Sequence, residues 1–268
     1  MFLRNVFCFL KDIFENRVML FALARNDLKS KFADSFLGIL WAFIQPLITI
    51  LVLWAVFQMG FKSAAVSNVP FILWYIPAFL IWNFFTEALL ATTYCLSEYS
   101  YLVRKVNFRV SIIPVVKIMS SLFVHIGFIL FIAIMYLFYK IQPSIYWIQV
   151  FYYLFCTIIL LLGLGWLCAA ISPFVKDVTS IVNVIVQIGF WATPIFWSPD
   201  TMAPTIRSVL KLNPMYYICE GYRDCFIYHQ WFWQRGGISI YFWGVTLVLF
   251  ILGTVTFKRL RPYFADEI

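Results

Sequence analysis

Chemistry needs side chains that move protons, attack, ligate metals or cradle phosphates, and this sequence offers few of them in useful arrangements. Its two histidines do not make an acid-base pair: His125 falls inside an apolar run and His229 outside one. The six cysteines, Cys8, Cys95, Cys156, Cys168, Cys219 and Cys225, are scattered, with no CxxC pair and no histidine at metal-ligand spacing. They read as apolar filler and supply neither zinc ligands nor a disulfide framework. No G-x-x-x-x-G-K-[ST] loop is present, and no Gly-Lys dipeptide exists from which to build one. HExxH, GxSxG and clustered carboxylates are also missing. The chain is therefore expected to be no enzyme and to bind no metal or nucleotide, so any ATP-driven work must come from a partner.

Aromatic side chains are what it has in excess, at 21% Phe, Trp and Tyr. Any single one is first an anchor at a membrane interface. Clusters inside apolar runs, however, offer flat faces on which sugar rings can slide through weak, repeated contacts. The elements that carry them are set by composition: 63% hydrophobic, 12% charged, mean hydropathy +0.89. Soluble domains are roughly 45–50% apolar and about 25% charged, so this is an integral membrane protein. No mixed-polarity stretch is long enough for a soluble domain, and residues 1–268 are read as one membrane domain. The formal charge of +8 fits cytoplasmic loops and anionic lipid, and not nucleic acid.

Six apolar runs are expected to be transmembrane helices, at about 35–60, 71–94, 111–139, 146–171, 178–197 and 238–257. Each approaches or exceeds the ~20 residues a helix needs to cross. The first is interrupted by Gln45-Pro46, which favours a kink, and its Trp41, Phe43, Trp54 and Phe57 make a plausible pathway wall. A basic approach, ARNDLKSKF, holds its start in the cytoplasm. With this topology fourteen of the twenty lysines and arginines lie inside, which places both termini in the cytoplasm. Residues 1–33 read as an interfacial amphipathic helix, apolar at Phe2, Val6, Phe9, Leu10, Ile13 and Phe14; a loosely ordered basic leader is the alternative. Arg4 and Lys11-Asp12 break any signal-peptide core, so this segment is expected to be retained.

Glu87 on the second span needs an ionic partner, a wet cavity or the cytoplasmic end of its helix. The loop YLVRKVNF reads either as a short surface helix offering a mixed face to another protein, or simply as a positive-inside signal. Lys117 is close enough to the start of span three to snorkel. Gly165 and Ala169 on span four allow a close helix approach. Residues 198–237 form the one sizeable external segment, two amphipathic pieces flanking Asn213-Pro214.

These residues resemble a known family. ARNDLKSKFADSFLGILWAFIQPL is similar to the opening motif of ABC type-2 permeases that export bacterial polysaccharides. IWNFFTEAL, YLVRKVNF, and TPIFW followed by LNPMYYICEGYRD continue the likeness in the family's order over nearly the whole chain. O-antigen and teichoic-acid exporters look nearest. The resemblance implies an all-α integral membrane protein with six transmembrane helices, an N-terminal interfacial helix, a cytoplasmic coupling helix and short external re-entrant helices. It also implies a homodimer in the bacterial inner membrane with two copies of an ABC ATP-binding subunit, which would carry ATP and Mg. A polyprenyl-diphosphate-linked polysaccharide would pass between the two permease copies.

Carried over, Trp41, Phe43, Trp54, Phe57, Phe190, Trp191, Phe196 and Trp197 become candidates for the channel lining on spans one and five. Tyr101, Leu102, Arg104, Lys105 and Phe108 would couple to the ATPase, and Glu220, Arg223 and Asp224 would lie on external gate helices. Relatives commonly read F-P-R-E-x-x-P after the coupling helix, whereas this chain reads Phe108-Arg109-Val110-Ser111-Ile112-Ile113-Pro114. The usual proline and glutamate are absent, which leaves the contacts at that end of the loop open. A lipid or drug permease of the same type and a membrane glycosyltransferase are the competing readings; the second would need convergent Asp, Glu or His near one membrane face.

Overall fold

In a bilayer an apolar run satisfies its own backbone only as a helix or a closed barrel, and this chain is helical. The structure is a computed structural model and describes residues 17–60, 69–105, 108–199 and 202–268. Its helices in chain order are α1 (Arg17–Ser30), α2 (Trp41–Ala55), α3 (Phe71–Thr93), the short α4 (Cys95–Glu98) and α5 (Ser100–Val103), and α6 (Ile113–Phe138). Then come α7 (Gln149–Ile171), α8 (Val178–Ala192), α9 (Pro204–Leu210), α10 (Pro214–Arg223), α11 (Gly236–Leu260) and α12 (Phe264–Glu267). Among the described residues no extended strand occurs. Five helical stretches, built on α2, α3, α6, α7 and α11, are long and apolar enough to cross a membrane, which gives a multi-pass architecture.

The segment expected to run helically to Trp197 stops at Ala192 instead. Its 15 residues rise about 22 Å at 1.5 Å each, short of the ~30 Å hydrocarbon core. The cause is Pro194, which lacks a donor and pushes the preceding residue out of the helical region. Thr193 accordingly sits at φ −92°, ψ 138°, and its amide and hydroxyl both close the last turn on the Gly189 carbonyl, at 2.8 and 2.7 Å. The start of the first span also differs from a plain helix. Residues 35–37 are turns, Gly38 adopts φ +52°, and a 3-10 turn (Gly38–Leu40) leads into α2, which a π turn (Val56–Gly60) extends. Pro46 lies within α2 and the helix continues through it.

The interfacial helix assigned to residues 1–33 is described only from Arg17, as α1; residues 1–16 lie outside the described residues, as do 61–68 and 106–107 of the expected loops. The described part buries Leu20, Ala24, Asp27 and Leu28 along one face, and Val18 and Phe21 stay exposed.

A helix apolar all round belongs in the middle of a bundle. α3 takes that place: most of its residues from Phe71 to Thr93 are buried, with α6, α7, α8 and α10 against it. Buried side chains form two cores. The larger runs through the bundle towards α10; the smaller joins α1, α4, α5, the start of α6 and α12 at the opposite end. The backbones of α7 and α11 approach closely where a Cβ on Gly253 would fall on the Gly163 carbonyl oxygen. Gly165, expected to allow a close helix approach, makes one to α3, where its Cβ would stand 3.0 Å from the Thr92 side chain.

One prediction follows from that contact. Gly253→Ala meets backbone that cannot swing aside, and overpacking of this kind costs about 1–3 kcal/mol. Thermal unfolding of the detergent-purified protein should therefore shift down for Gly253→Ala and not for Gly244→Ala, whose Cβ would meet nothing within 4 Å. Equal melting of the two variants would show that the α7–α11 contact is looser than described.

Candidate functional site

The sequence places three charged residues, Glu220, Arg223 and Asp224, on an external segment, and the structure folds them into the bundle. α10 starts at Asn213-Pro214: the Asn213 side chain accepts from the Met215 amide at 3.0 Å, an N-cap, and proline at the first helical position has no donor to lose. Every residue from Met215 to Arg223 is then buried. Gly221 makes this possible, because a side chain there would fall inside the Tyr153 ring of α7.

Arg223 is fully buried, so its charge must be matched where it lies. Its Nη1 donates to Glu220 Oε1 at 2.5 Å, its Nε to the Trp74 carbonyl at 3.1 Å and its Nη2 to the Ile195 carbonyl at 2.7 Å. The guanidinium also lies over the Trp74 ring, 3.5 Å from the centroid. Arg235, at the start of α11, grips Asp224 through two hydrogen bonds and stands 3.6 Å from Glu220. Two cations and two anions thus close as a neutral quartet. Nothing in the local sequence marks Trp74 or Arg235 for this role, since each meets its partner only through the fold.

The quartet reaches the aromatic candidates. Arg223 holds Ile195, and Asn213 donates to Thr193 Oγ1 at 2.8 Å, so α10 clamps the Thr193–Trp197 corner at two points. From that corner Phe196 contacts Phe190, Trp191 and Phe57, with ring centroids at 5.5, 5.1 and 5.4 Å. The Trp197 indole donates to the Trp191 carbonyl at 3.2 Å. Phe57, Phe190, Trp191, Phe196 and Trp197 therefore meet in one group. Phe43 is apart from it, against Phe128 of α6 at 5.3 Å and over Gly127. Trp54 packs on the main core and Trp41 is half-buried at the start of α2.

Two helices of this region keep an open side. On α8, Val182 and Val186 are buried, and the exposed residues divide by helical spacing. Ser180, Asn183, Gln187 and Trp191 follow one line and Ile181, Ile185 and Ile188 another, with Val184 exposed between the two. On α2 the exposed side holds Gln45, Ile48, Thr49, Leu51 and Val52, with half-buried Trp41 one turn before Gln45, and Val56 continues it in the π turn.

At the opposite end, the described residues of YLVRKVNF are helical through α5, which ends at Val103. Leu102 is buried in the smaller core and Phe108 packs against it, whereas Tyr101, Arg104 and Lys105 are exposed. Lys117 does not snorkel: it is buried, and its ammonium donates to Asp27 Oδ1 at 2.6 Å and to Glu98 Oε1 at 2.7 Å. Carboxylates from α1 and α4 lie within its reach, so a salt bridge replaces the exit to water. Tyr99 also donates to Asp27, at 2.7 Å; burial, and then that carboxylate, push its phenol above the ordinary range. Glu87 finds the ionic partner its position calls for in Lys31, at 2.6 Å.

His125 shares a 2.9 Å hydrogen bond with the Tyr222 hydroxyl and stacks on Phe84, with centroids at 4.8 Å, a helix contact and no catalytic arrangement. Among the described residues no three His, Cys, Asp or Glu side chains converge as a metal site requires.

Comparison with known proteins agrees with the architecture. The profile of the ABC-2 type transporter family matches residues 19–227. The O-antigen export system permease protein RfbA of Myxococcus xanthus is 25% identical over 265 residues, covering 96% of this chain and 98% of that protein. Two proteins of the same description from Klebsiella pneumoniae are 21% and 22% identical, each over 92% of this chain and 94% of its own length.

Proposed function

Because the chain belongs to the ABC-2 type transporter family, and is a membrane transport subunit and not an enzyme, we propose that it is the permease of an ATP-driven polysaccharide exporter. Its cargo is a polyprenyl-diphosphate-linked glycan of the O-antigen kind, moved from the cytoplasm across the bacterial inner membrane. The observation that carries this is the likeness to O-antigen export permeases over more than nine-tenths of both chains. Two copies of this subunit pair with two copies of an ABC ATP-binding subunit, which supplies the ATP and Mg chemistry.

In this reading the molecule has six spans, the fifth being α8 with the Thr193–Trp197 corner. Both termini are cytoplasmic, and α9 and α10 are external helices that re-enter the membrane. The open sides of α2 and α8 front the passage between copies. Trp41, Trp191 and Trp197 face it, with Phe43, Trp54, Phe57, Phe190 and Phe196 bracing the wall behind. The cationic N-terminal segment attracts the lipid diphosphate. Tyr101, Arg104 and Lys105 meet the ATPase, and Leu102 and Phe108 fix their loop to the smaller core.

Two variants test these roles in the host. Trp191→Ala removes a mostly exposed ring at the edge of the aromatic group, so surface glycan should fall several-fold at unchanged amounts of permease–ATPase complex; normal export would take Trp191 out of the passage. Arg104→Ala with Lys105→Ala should weaken copurification of the ATPase while the permease itself melts normally. An undiminished complex would remove the coupling role.

A further inference from the structure

The open side of α8 is split into two chemically different lines, and a helix bathed in lipid on both has no use for the polar one. We infer that Ser180, Asn183 and Gln187, continued by Trp191, form the track along which hydroxyl groups of the passing glycan are handed through the membrane, with Gln45 and Thr49 of α2 as its counterpart. This rests on the export reading above.

The argument is one of matching. Exposed amides in hydrocarbon forfeit their hydrogen bonds, and polar side chains at membrane depth accordingly face protein or a wet cavity. The line of Ile181, Ile185 and Ile188 is suited to lipid; the line of Ser180, Asn183 and Gln187 is not. An amide presents donors and an acceptor together, and a hydroxyl does the same, which is the complement of a sugar hydroxyl in any orientation. Asn183 gives one amide hydrogen to the Thr179 carbonyl at 2.9 Å, which steadies the side chain and leaves its second hydrogen and its oxygen for a ligand.

Trp191 is 61% exposed and sits one turn beyond Gln187, so an apolar sugar face can stack where the polar line ends. Charge completes the match. Neither Val178–Ala192 nor Gly38–Gly60 contains a charged residue, so the track suits a neutral, hydroxyl-rich chain and holds no ion tightly. Thr49 behaves as Asn183 does: its hydroxyl hydrogen goes to the Gln45 carbonyl at 3.1 Å, and its oxygen still accepts.

The experiment uses the complete transporter in its host, with the deletion strain alongside. Asn183→Leu with Gln187→Leu keeps the helix and its bulk and removes only the polar groups. The track predicts at least a tenfold loss of surface glycan, with lipid-linked glycan accumulating at normal levels of assembled complex; Ile181→Leu with Ile185→Leu should export normally. In separate variants, Gln187→Cys should react with a membrane-impermeant maleimide above the background of the unaltered protein, and more slowly while glycan is being made; Ile185→Cys should not react.

Normal export by the double leucine variant would overturn the inference. So would an unreactive Gln187→Cys, or one that forms a disulfide with a second copy, because the line would then face lipid or seal the seam between subunits. If the double variant fails to accumulate, the maleimide arm decides alone. Should the deletion itself leave surface glycan unchanged, the export reading fails; should deletion abolish export while the leucine variant is unimpaired, only the track fails.

Discussion

Replacing Arg223 with methionine should cost the protein about 3–5 kcal/mol, the range for removing one member of a buried ion pair. The fully buried guanidinium bonds Glu220, the Trp74 carbonyl and the Ile195 carbonyl. Without it, Glu220 and Asp224 share Arg235 alone, and the quartet carries an unmatched negative charge. Thermal unfolding in detergent should show a large downward shift for Arg223→Met and a partial recovery for Glu220→Gln with Arg223→Met, which restores neutrality. Release of Ile195 also frees the corner carrying Phe196, so surface glycan should fall even in cells grown cool enough for the protein to accumulate. Melting indistinguishable from the unaltered protein would mean that Arg223 reaches water and the quartet is not closed.

A loss of similar size is expected at the other end for Lys117→Met. Asp27 is as buried as Lys117, with side chains 5% and 6% exposed, whereas the Glu98 side chain is 43% exposed. The stranded charge is therefore Asp27, and the expected cost is again about 3–5 kcal/mol. Asp27→Asn should be milder, because Lys117 keeps Glu98 and the Tyr99 hydroxyl keeps an oxygen acceptor. Since the cluster ties α1 to α4 and α6, hydrogen exchange in α1 should rise sharply in Lys117→Met and recover in part when Asp27→Leu is added. Unchanged protection of α1 would show that apolar packing by Leu20 and Ala24 holds the helix by itself. The Lys31–Glu87 bridge is partly exposed, and pairs of that kind contribute about 0–1 kcal/mol.

How legible these features are in the sequence depends on how local their causes are. α3, α6, α7 and α11 lie within a few residues of their apolar runs, because crossing a bilayer fixes length and excludes charge. The Asn213-Pro214 start of α10 is legible for the same reason, being a cap and a proline side by side. The shortening of α8 is equally local: Pro194 marks it, and the apolar run through Phe196 and Trp197 hides it.

What the sequence does not reveal are pairings set by the fold. Lys117 meets Asp27 ninety residues away, and Arg223 meets Trp74 149 residues away. Gly163 and Gly253 become neighbours only because α7 and α11 pack along each other. The aromatic candidates illustrate both cases. Span and proline place Phe190, Trp191, Phe196 and Trp197 near one another, whereas Phe43 points to α6 because α6 has Gly127 there to receive its ring. Ser180, Asn183 and Gln187 were legible as a polar line at helical spacing inside an apolar segment, a signal overshadowed by the aromatic excess.

Deletion of the gene in its host, with lipid-linked glycan inside the cell and glycan at the surface assayed separately, tests the central claim most directly. Export by this chain predicts accumulation of the lipid-linked glycan inside and its loss from the surface, both reversed by the intact gene. Unchanged surface glycan would contradict the account and turn attention to a lipid or drug as cargo, and loss of the lipid-linked glycan itself would place the chain in its synthesis.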